Sequence, residues 1–312
     1  PDRRSHRYPT CIKGRGRYQS RSRPKHFRRT MNDALIETPS ALLARLDGAA
    51  TRHQTPTGAG NMVWRSWGSG PVLVLLHGGS GSWRHWVRNI EYFARDRRVL
   101  APDLPGLGES DQPERPWTAI HVAGIVLQGI QSIIGADTRF DLAGFSFGGM
   151  LSGHISGMEG AKLRSVTLVG ASGLALTRDP TPLLRVRDKT GQEKMDGHRE
   201  NLARLMIHDR ARIDDLAIAI QDWNSDHNRF DSRPLGRAHT MQAYLEKASC
   251  RRGGIWGDHD VTAWPHMQER HDYFATLPGF DFRLIPNAGH WVAYEAAEQF
   301  NPMLHEMLDL AA

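Results

Sequence analysis

Short apolar runs alternate with longer amphipathic stretches along much of the chain. Val72–Leu76 is apolar at every position, as is typical of a strand that helices cover on both faces of a parallel sheet. The alternation continues to about Ser172 and predicts an α/β fold with a doubly wound, mostly parallel sheet. Strands are predicted at 62–67 (an edge strand), 72–76, 98–102, 139–143 and 163–169, helices at 39–46, 83–94, 118–134 and 147–156, and a connector rich in Gly, Thr and Pro at 51–61.

The strand pattern stops in the second half of the chain. Residues 177–249 are charged and have helical periodicity without strand-like runs, so they predict a helical cap inserted into the fold. The sheet pattern then resumes, with strands at 253–256 and 281–285 and helices at 266–275 and 291–310. We therefore assign 31–172 to the first part of the core, 173–249 to the helical cap and 250–312 to the second part of the core.

The net charge of +6 is concentrated in a basic tail. Residues 1–30 hold eleven Lys and Arg residues and one Asp, and subtracting their net charge of +10 from the total leaves −4 on the other 282 residues. The tail has few aliphatic residues and several helix breakers, so we predict that it is disordered. Our hypothesis is that it is non-native sequence ahead of Met31. A transit peptide and a nucleic-acid-binding tail are the alternatives, but we expect no nucleic acid as a partner.

Composition and motifs also argue against several other classes of protein. No apolar stretch approaches the roughly 18 residues that are needed to cross a bilayer. Cys11 and Cys250 form neither a disulfide framework nor a metal-ligand spacing. The glycine-rich loop at 77–81 lacks the Lys-Ser/Thr pair of a phosphate-binding P-loop. We therefore expect a cytoplasmic protein with no membrane contact, no metal and no cofactor.

A candidate nucleophile lies at a predicted junction of strand and helix. The residues from Gly144 to Gly148 fit the pattern G-x-S-x-G, which forms a sharp turn that holds its serine in a strained conformation. Gly144 and Gly148 are the small residues that a crowded strand and helix need at such a turn. We predict that Ser146 is the nucleophile.

A serine nucleophile needs a base and a group that orients the base. In this type of fold they follow later strands, in the chain order Ser, Asp or Glu, His. Asp260 and His290 occur at those positions, after the predicted strands at 253–256 and 281–285. Asp258 is the rival acid, and we prefer Asp260 because the turn needs room to reverse before it presents a carboxylate.

The negative charge that develops on a substrate oxygen needs hydrogen-bond donors already in place. We predict that the backbone N–H groups of Phe147 and Gly79 form this oxyanion hole, with Gly79 on the loop after the strand at 72–76. His77, at the start of that loop, is expected to fix it through side-chain hydrogen bonds rather than to act in catalysis.

These motifs, together with 103–111, resemble the marker blocks of the α/β-hydrolase superfamily over roughly residues 60–310. The resemblance implies the serine-nucleophile branch, which includes esterases, lipases, peptidases and C–C hydrolases. The segments 170–174 and 289–301 are also similar to the meta-cleavage-product hydrolases, which cut carbon–carbon bonds in dienoic ring-fission products. Those enzymes usually have asparagine where this chain has Phe145, and they hold the substrate carboxylate with a cap arginine, for which Arg204, Arg210 and Arg212 are the candidates here.

We therefore expect a carboxylesterase-like serine hydrolase that cleaves a small, largely apolar ester or lactone through an acyl-enzyme on Ser146. Phe145, Trp291 and Trp223 are the candidates for lining its substrate pocket under the cap. A C–C hydrolase of the meta-cleavage-product type is the alternative, and a non-catalytic, ligand-binding relative is a third hypothesis. A small-molecule substrate is the expected partner, and a homo-oligomer is left open.

Overall fold

The computed structural model describes residues 37–58, 60–158, 161–236 and 239–310, and the predictions for the tail at 1–30 lie outside these residues. The described strands form one eight-stranded sheet in the order β1-β2-β4-β3-β5-β6-β7-β8. β1 and β2 pair antiparallel at one edge and the other pairings are parallel, except that of β2 with β4. The strands are β1 Thr51–Pro56, β2 Asn61–Trp67, β3 Val72–Leu76, β4 Arg98–Pro102, β5 Phe140–Phe145, β6 Leu163–Val169, β7 Arg251–Gly257 and β8 Asp281–Ile285.

Helices fill the connections and cover the sheet, so the predicted α/β fold class is confirmed. In chain order they are α1 Pro39–Gly48, α2 Ile90–Phe93, α3 Ala119–Ile134, α4 Phe147–Ser156, α5 Gly191–Asn201, α6 Asp215–Asp226, α7 Arg233–Gly236, α8 Met241–Lys247, α9 Met267–Ala275, α10 Val292–Glu295 and α11 Ala297–Asp309. None of them is long and apolar enough to span a membrane, as far as the described residues go.

The continuous apolar run in β3 is buried on both faces, as predicted. Val72, Val74 and Leu76 belong to the apolar core on one side of the sheet, with α3, α4, α8 and α9. Leu73 and Leu75 belong to the core on the other side, with α1, α2, α6 and α11. Successive side chains of a strand point to opposite faces, so every position of β3 is in a core.

The prediction for the edge of the sheet was wrong. Residues 51–61, predicted to form a connector, contain β1, which pairs along its whole length with β2. The predicted edge strand at 62–67 is therefore an inner strand. Most side chains of β1 are exposed, so the segment has no apolar pattern, and its extended conformation comes from the backbone ladder with β2.

Two predicted helices are each interrupted in the structure. Residues 83–94 form a 3₁₀ turn, Trp83–Trp86, followed by α2, and residues 291–310 form α10 and α11. Asn89 lies at the first interruption, where its Nδ2 donates to the carbonyl oxygen of Ala293 at 2.9 Å and to Oδ1 of Asn301 at 2.7 Å. These hydrogen bonds join residues 204 and 212 positions apart, so the local sequence pattern does not reveal them.

The segment between β6 and β7 contains α5 to α8, a π-helical turn at Leu202–Met206 and a 3₁₀ turn at Arg210–Arg212. Leu202 and Ile213 join the second core, and Phe230 and Leu235 join the first. Asn228 also forms an isolated β-bridge with Leu107, in the loop after β4. The helical segment therefore packs against the loops that follow the strands.

Candidate active site

Ser146 lies on a strained turn between β5 and α4. Its φ is +52° and its ψ is −108°, a conformation that residues with a side chain rarely adopt. A Cβ on Gly148 would lie 2.5 Å from the carbonyl oxygens of Leu76 and His77, and one on Gly144 would overlap the carbonyl oxygen of Gly148. The close approach of strand and helix therefore requires both glycines of the G-x-S-x-G pattern.

His290 connects Ser146 to Asp260 by hydrogen bonds. Its Nε2 lies 3.0 Å from Oγ of Ser146, and its Nδ1 lies 2.9 Å from both carboxylate oxygens of Asp260. Asp260 follows β7 and His290 follows β8, which are neighbouring parallel strands. The structure thus brings together three side chains that are up to 144 residues apart in the chain.

Asp260 is buried, yet its surroundings favour the ionised form. Thr262 donates to Oδ1 of Asp260 through its N–H at 2.8 Å and its hydroxyl at 2.7 Å. Burial by itself would raise the pKa of Asp260, but His290 and the hydrogen bonds from Thr262 outweigh burial and lower it. A carboxylate that stays ionised keeps Nδ1 of His290 protonated and leaves Nε2 able to accept the serine proton.

The rival acid is engaged elsewhere. Asp258 lies 2.7 Å from Nδ1 of the neighbouring His259, whereas Asp260 contacts His290.

Sequence reasoning did not anticipate Thr262, although a threonine two residues after an aspartate is a known local hydrogen-bonding pattern. Among the described residues, no group of three or more His, Cys, Asp or Glu side chains is arranged to hold a metal ion.

The two residues predicted to form the oxyanion hole lie close together. A Cβ on Gly79 would be 3.7 Å from Cβ of Phe147, and Phe147 directly follows Ser146. Neither N–H donates to another protein group within the described ranges. Both N–H groups thus lack a protein acceptor in these ranges, as an oxyanion hole requires, and their catalytic role stays a prediction.

Two buried histidines fix the loop that carries Gly79. His77 donates from Nδ1 to the carbonyl oxygen of Gly78 at 2.7 Å and accepts at Nε2 from the N–H of Leu104 at 2.8 Å. His85, which sequence reasoning missed, accepts at Nδ1 from the N–H of Gly78 at 3.2 Å. Burial lowers the pKa of His77 to about 4 and that of His85 well below its ordinary value. Both rings are therefore neutral at neutral pH.

The three candidate pocket residues differ in their surroundings. The Phe145 ring lies 4.9 Å from the His290 ring, centroid to centroid. Trp291 is buried, stacks on Tyr294 at 4.1 Å and donates from Nε1 to the carbonyl oxygen of His85. Trp223 stacks on His227, and the guanidinium of Arg84 covers its ring at 3.5 Å. The substrate-binding role of all three stays a prediction.

A mostly parallel α/β sheet with a serine on a strained turn, and with His and Asp at the neighbouring strand ends, defines an α/β-fold hydrolase. The chain belongs to the alpha/beta hydrolase family, whose family model matches residues 73–302. The match covers all three residues of the hydrogen-bonded group.

Similar proteins include enzymes of different reactions. The chain is 27% identical over 263 residues to the dihydrolipoyllysine-residue acetyltransferase component of an acetoin cleaving system from Pseudomonas putida, which covers 75% of this chain but only 62% of that protein. It is 24% identical to the 2-hydroxy-6-oxo-6-phenylhexa-2,4-dienoate hydrolase of Burkholderia cepacia, over 77% of this chain and 88% of that protein. A thermophilic esterase from Thermogutta terrifontis has a TM-score of 0.66 and 21% identity, over 84% of this chain and 99% of that chain. This last likeness shows a shared fold.

Proposed function

We propose that this chain is a serine hydrolase that cleaves a small, largely apolar ester or lactone. The observation that carries the proposal is the pair of hydrogen bonds that joins Ser146 through His290 to Asp260. A serine hydroxyl becomes a useful nucleophile when a base accepts its proton and a carboxylate orients that base. All three groups are present in that order.

In the proposed mechanism, Oγ of Ser146 attacks the carbonyl carbon of the substrate while Nε2 of His290 takes the proton. The substrate oxygen becomes an oxyanion, which the N–H groups of Gly79 and Phe147 hold. His290 then returns the proton to the leaving alkoxide, and the acyl group remains on Ser146. A water molecule, deprotonated by His290, releases the acid and regenerates the serine.

The ion pairs of the three cap arginines favour a substrate without a carboxylate. Arg204 and Arg210 both pair with Glu200, and Arg212 pairs with Glu298. The three arginine side chains keep 36%, 66% and 44% of their surface exposed. The charge of each arginine is already offset by a carboxylate of the protein, which weakens its attraction for a substrate carboxylate.

The second candidate function is C–C bond hydrolysis of the meta-cleavage-product type. The resemblance to the Burkholderia cepacia dienoate hydrolase over most of both chains favours it. The same serine, histidine and aspartate would then act on a ketone carbonyl next to the carbon–carbon bond that breaks.

The first experiment tests whether Ser146 is a nucleophile at all. The wild-type protein and S146A are incubated with a fluorophosphonate and measured by intact-mass spectrometry. We expect one adduct on the wild type and none on S146A. An unlabelled wild type would contradict the proposal and would favour a non-catalytic relative.

The second experiment separates the two candidate reactions. Values of kcat/KM are measured for a series of p-nitrophenyl esters and for a dienoic ring-fission product. We expect the short-chain esters to be the better substrates. A higher kcat/KM for the dienoate would replace ester cleavage by C–C cleavage.

We further propose a small molecule as the partner of this site and the cytoplasm as its compartment. Among the described residues Cys250 is a free thiol, and the two cysteines of the chain are too few for the disulfide framework of a secreted domain, which suits a reducing environment. Size-exclusion chromatography would test for the homo-oligomer.

A further inference from the structure

A buried carboxylate connects the helical segment to the loop that carries His290. Glu295 is 1% exposed, and its carboxylate accepts three backbone hydrogen bonds. Oε2 accepts from the N–H of Gly289 at 2.7 Å and from that of His208 at 3.0 Å, and Oε1 accepts from the N–H of Asp209 at 2.7 Å. We call these three hydrogen bonds the Glu295 clasp. Gly289 directly precedes His290, whereas 208–209 lies in the segment between β6 and β7.

A backbone hydrogen bond reinforces the same attachment. The N–H of Trp291, directly after His290, donates to the carbonyl oxygen of Met206 at 2.7 Å. The residues on both sides of His290 are therefore attached to 206–209. A Cβ on Gly289 would lie 2.7 Å from the nitrogen of His208 and 3.1 Å from Oε2 of Glu295. Only a glycine allows this close approach.

The carboxylate of Glu295 is held by neutral donors. The nearby Arg212 donates to the backbone oxygen of Glu295 and to the carboxylate of Glu298, at 2.9 Å and 2.7 Å. Hydrogen bonds from backbone N–H groups to an ionised carboxylate are strong, and losing the acceptor would leave buried donors unsatisfied. Breaking these hydrogen bonds is therefore costly, so the clasp holds residues 208–209 firmly to the loop that carries His290.

We propose that Glu295 is a positioning residue for His290. Through Glu295, the position of residues 206–209 affects the geometry of the hydrogen bond between Ser146 and His290. The proposal rests on the proposed function, since it takes His290 as the base. Asp260 and Ser146 hold the two ring nitrogens of His290, whereas the clasp holds the backbone of the preceding residue, Gly289. Displacing a catalytic group by about 1 Å costs up to about 100-fold in rate.

The first test compares E295Q with E298Q. A glutamine has a single acceptor oxygen, and its NH₂ group would face backbone donors that need an acceptor. Glu298 is exposed, and among the described residues its side chain pairs with Arg212 rather than with the His290 loop, so E298Q is the matched control. The value of kcat for a p-nitrophenyl ester is divided by the number of sites titrated with fluorophosphonate, so that unfolded molecules do not count.

We expect E295Q to lower kcat per titrated site by about 10- to 100-fold with little change in KM. E298Q should equal the wild type. A residue that only stabilised the fold would reduce the number of titratable sites and leave kcat per site unchanged, and that result would overturn the proposal.

The second test alters the clasp from the other side and does not depend on E295Q folding. Asp209 has a φ of −81°, which a proline ring can adopt. D209P removes the N–H that binds Oε1 of Glu295, and D209A removes the side chain while keeping that N–H. We expect a several-fold loss of kcat per site in D209P and none in D209A. Equal kcat per site in the two variants would overturn the coupling.

A third measurement distinguishes failure of this inference from failure of the proposed function. Labelling of wild-type Ser146 tests the function by itself. Hydrogen–deuterium exchange tests the clasp without activity, because E295Q should speed exchange in 206–209 and 289–291 together. Unchanged exchange in either segment would show that Glu295 does not connect them.

Discussion

Acidification is expected to destabilise the protein through His77, the buried histidine at the start of the oxyanion loop. Its Nε2 accepts a hydrogen bond from the N–H of Leu104 and its Nδ1 donates to the carbonyl oxygen of Gly78. The folded chain therefore needs the neutral ring. Burial lowers the pKa of His77 to about 4, even though the neighbouring Asp103 acts in the opposite direction.

The size of the effect follows from the difference in pKa between the folded and unfolded states. In the unfolded chain a histidine has a pKa of about 6.5. Between about pH 6.5 and pH 4 the unfolded chain binds the proton and the folded chain does not, so the free energy of unfolding falls as the pH falls. From about pH 8 to about pH 5, His77 accounts for a loss of about 2 kcal/mol. Above about pH 7.5 its contribution is nearly constant.

Urea unfolding of the wild type and H77Q at these two pH values measures the effect. Glutamine keeps an acceptor oxygen but does not titrate, and every other titrating group, including His85, is common to both proteins. The pH-dependent loss should therefore be about 2 kcal/mol larger in the wild type than in H77Q. Equal losses in the two proteins would refute the reasoning, because His77 would then titrate alike in both states.

Three further outcomes are expected. D260N should lower kcat by about 10⁴-fold without changing the circular dichroism spectrum, because the amide cannot hold His290 in the required tautomer; a loss below about tenfold would count against the triad. G79A should lower kcat/KM, because the new Cβ would lie 2.5 Å from Oγ of Ser232. Adding S232A removes that oxygen and should restore activity, since the Cβ of Ser232 is 3.7 Å from the new Cβ. If kcat/KM does not recover, this clash is not the cause of the loss. Cys250 should resist alkylation at pH 8 in the folded protein, as peptide mapping would show, because burial raises its pKa to about 11; rapid modification would contradict its burial.

Features that depend on near neighbours in the chain could be predicted from the sequence. The unbroken apolar run Val72–Leu76 indicated a strand buried on two faces, and it is one. Gly144 and Gly148 on either side of Ser146 indicated the strained turn. Chain order pointed to Asp260 and His290, and the structure brings both to Ser146, because the carboxyl ends of neighbouring parallel strands meet at one edge of the sheet.

Features that depend on contacts between distant segments required the folded chain. The polar residues 51–56 became β1 because they pair with β2. The buried carboxylate of Glu295 accepts from an amide 86 residues away in the chain. The physical reason is that local pattern records burial and turn chemistry, whereas the partner of a hydrogen bond depends on how the whole chain packs.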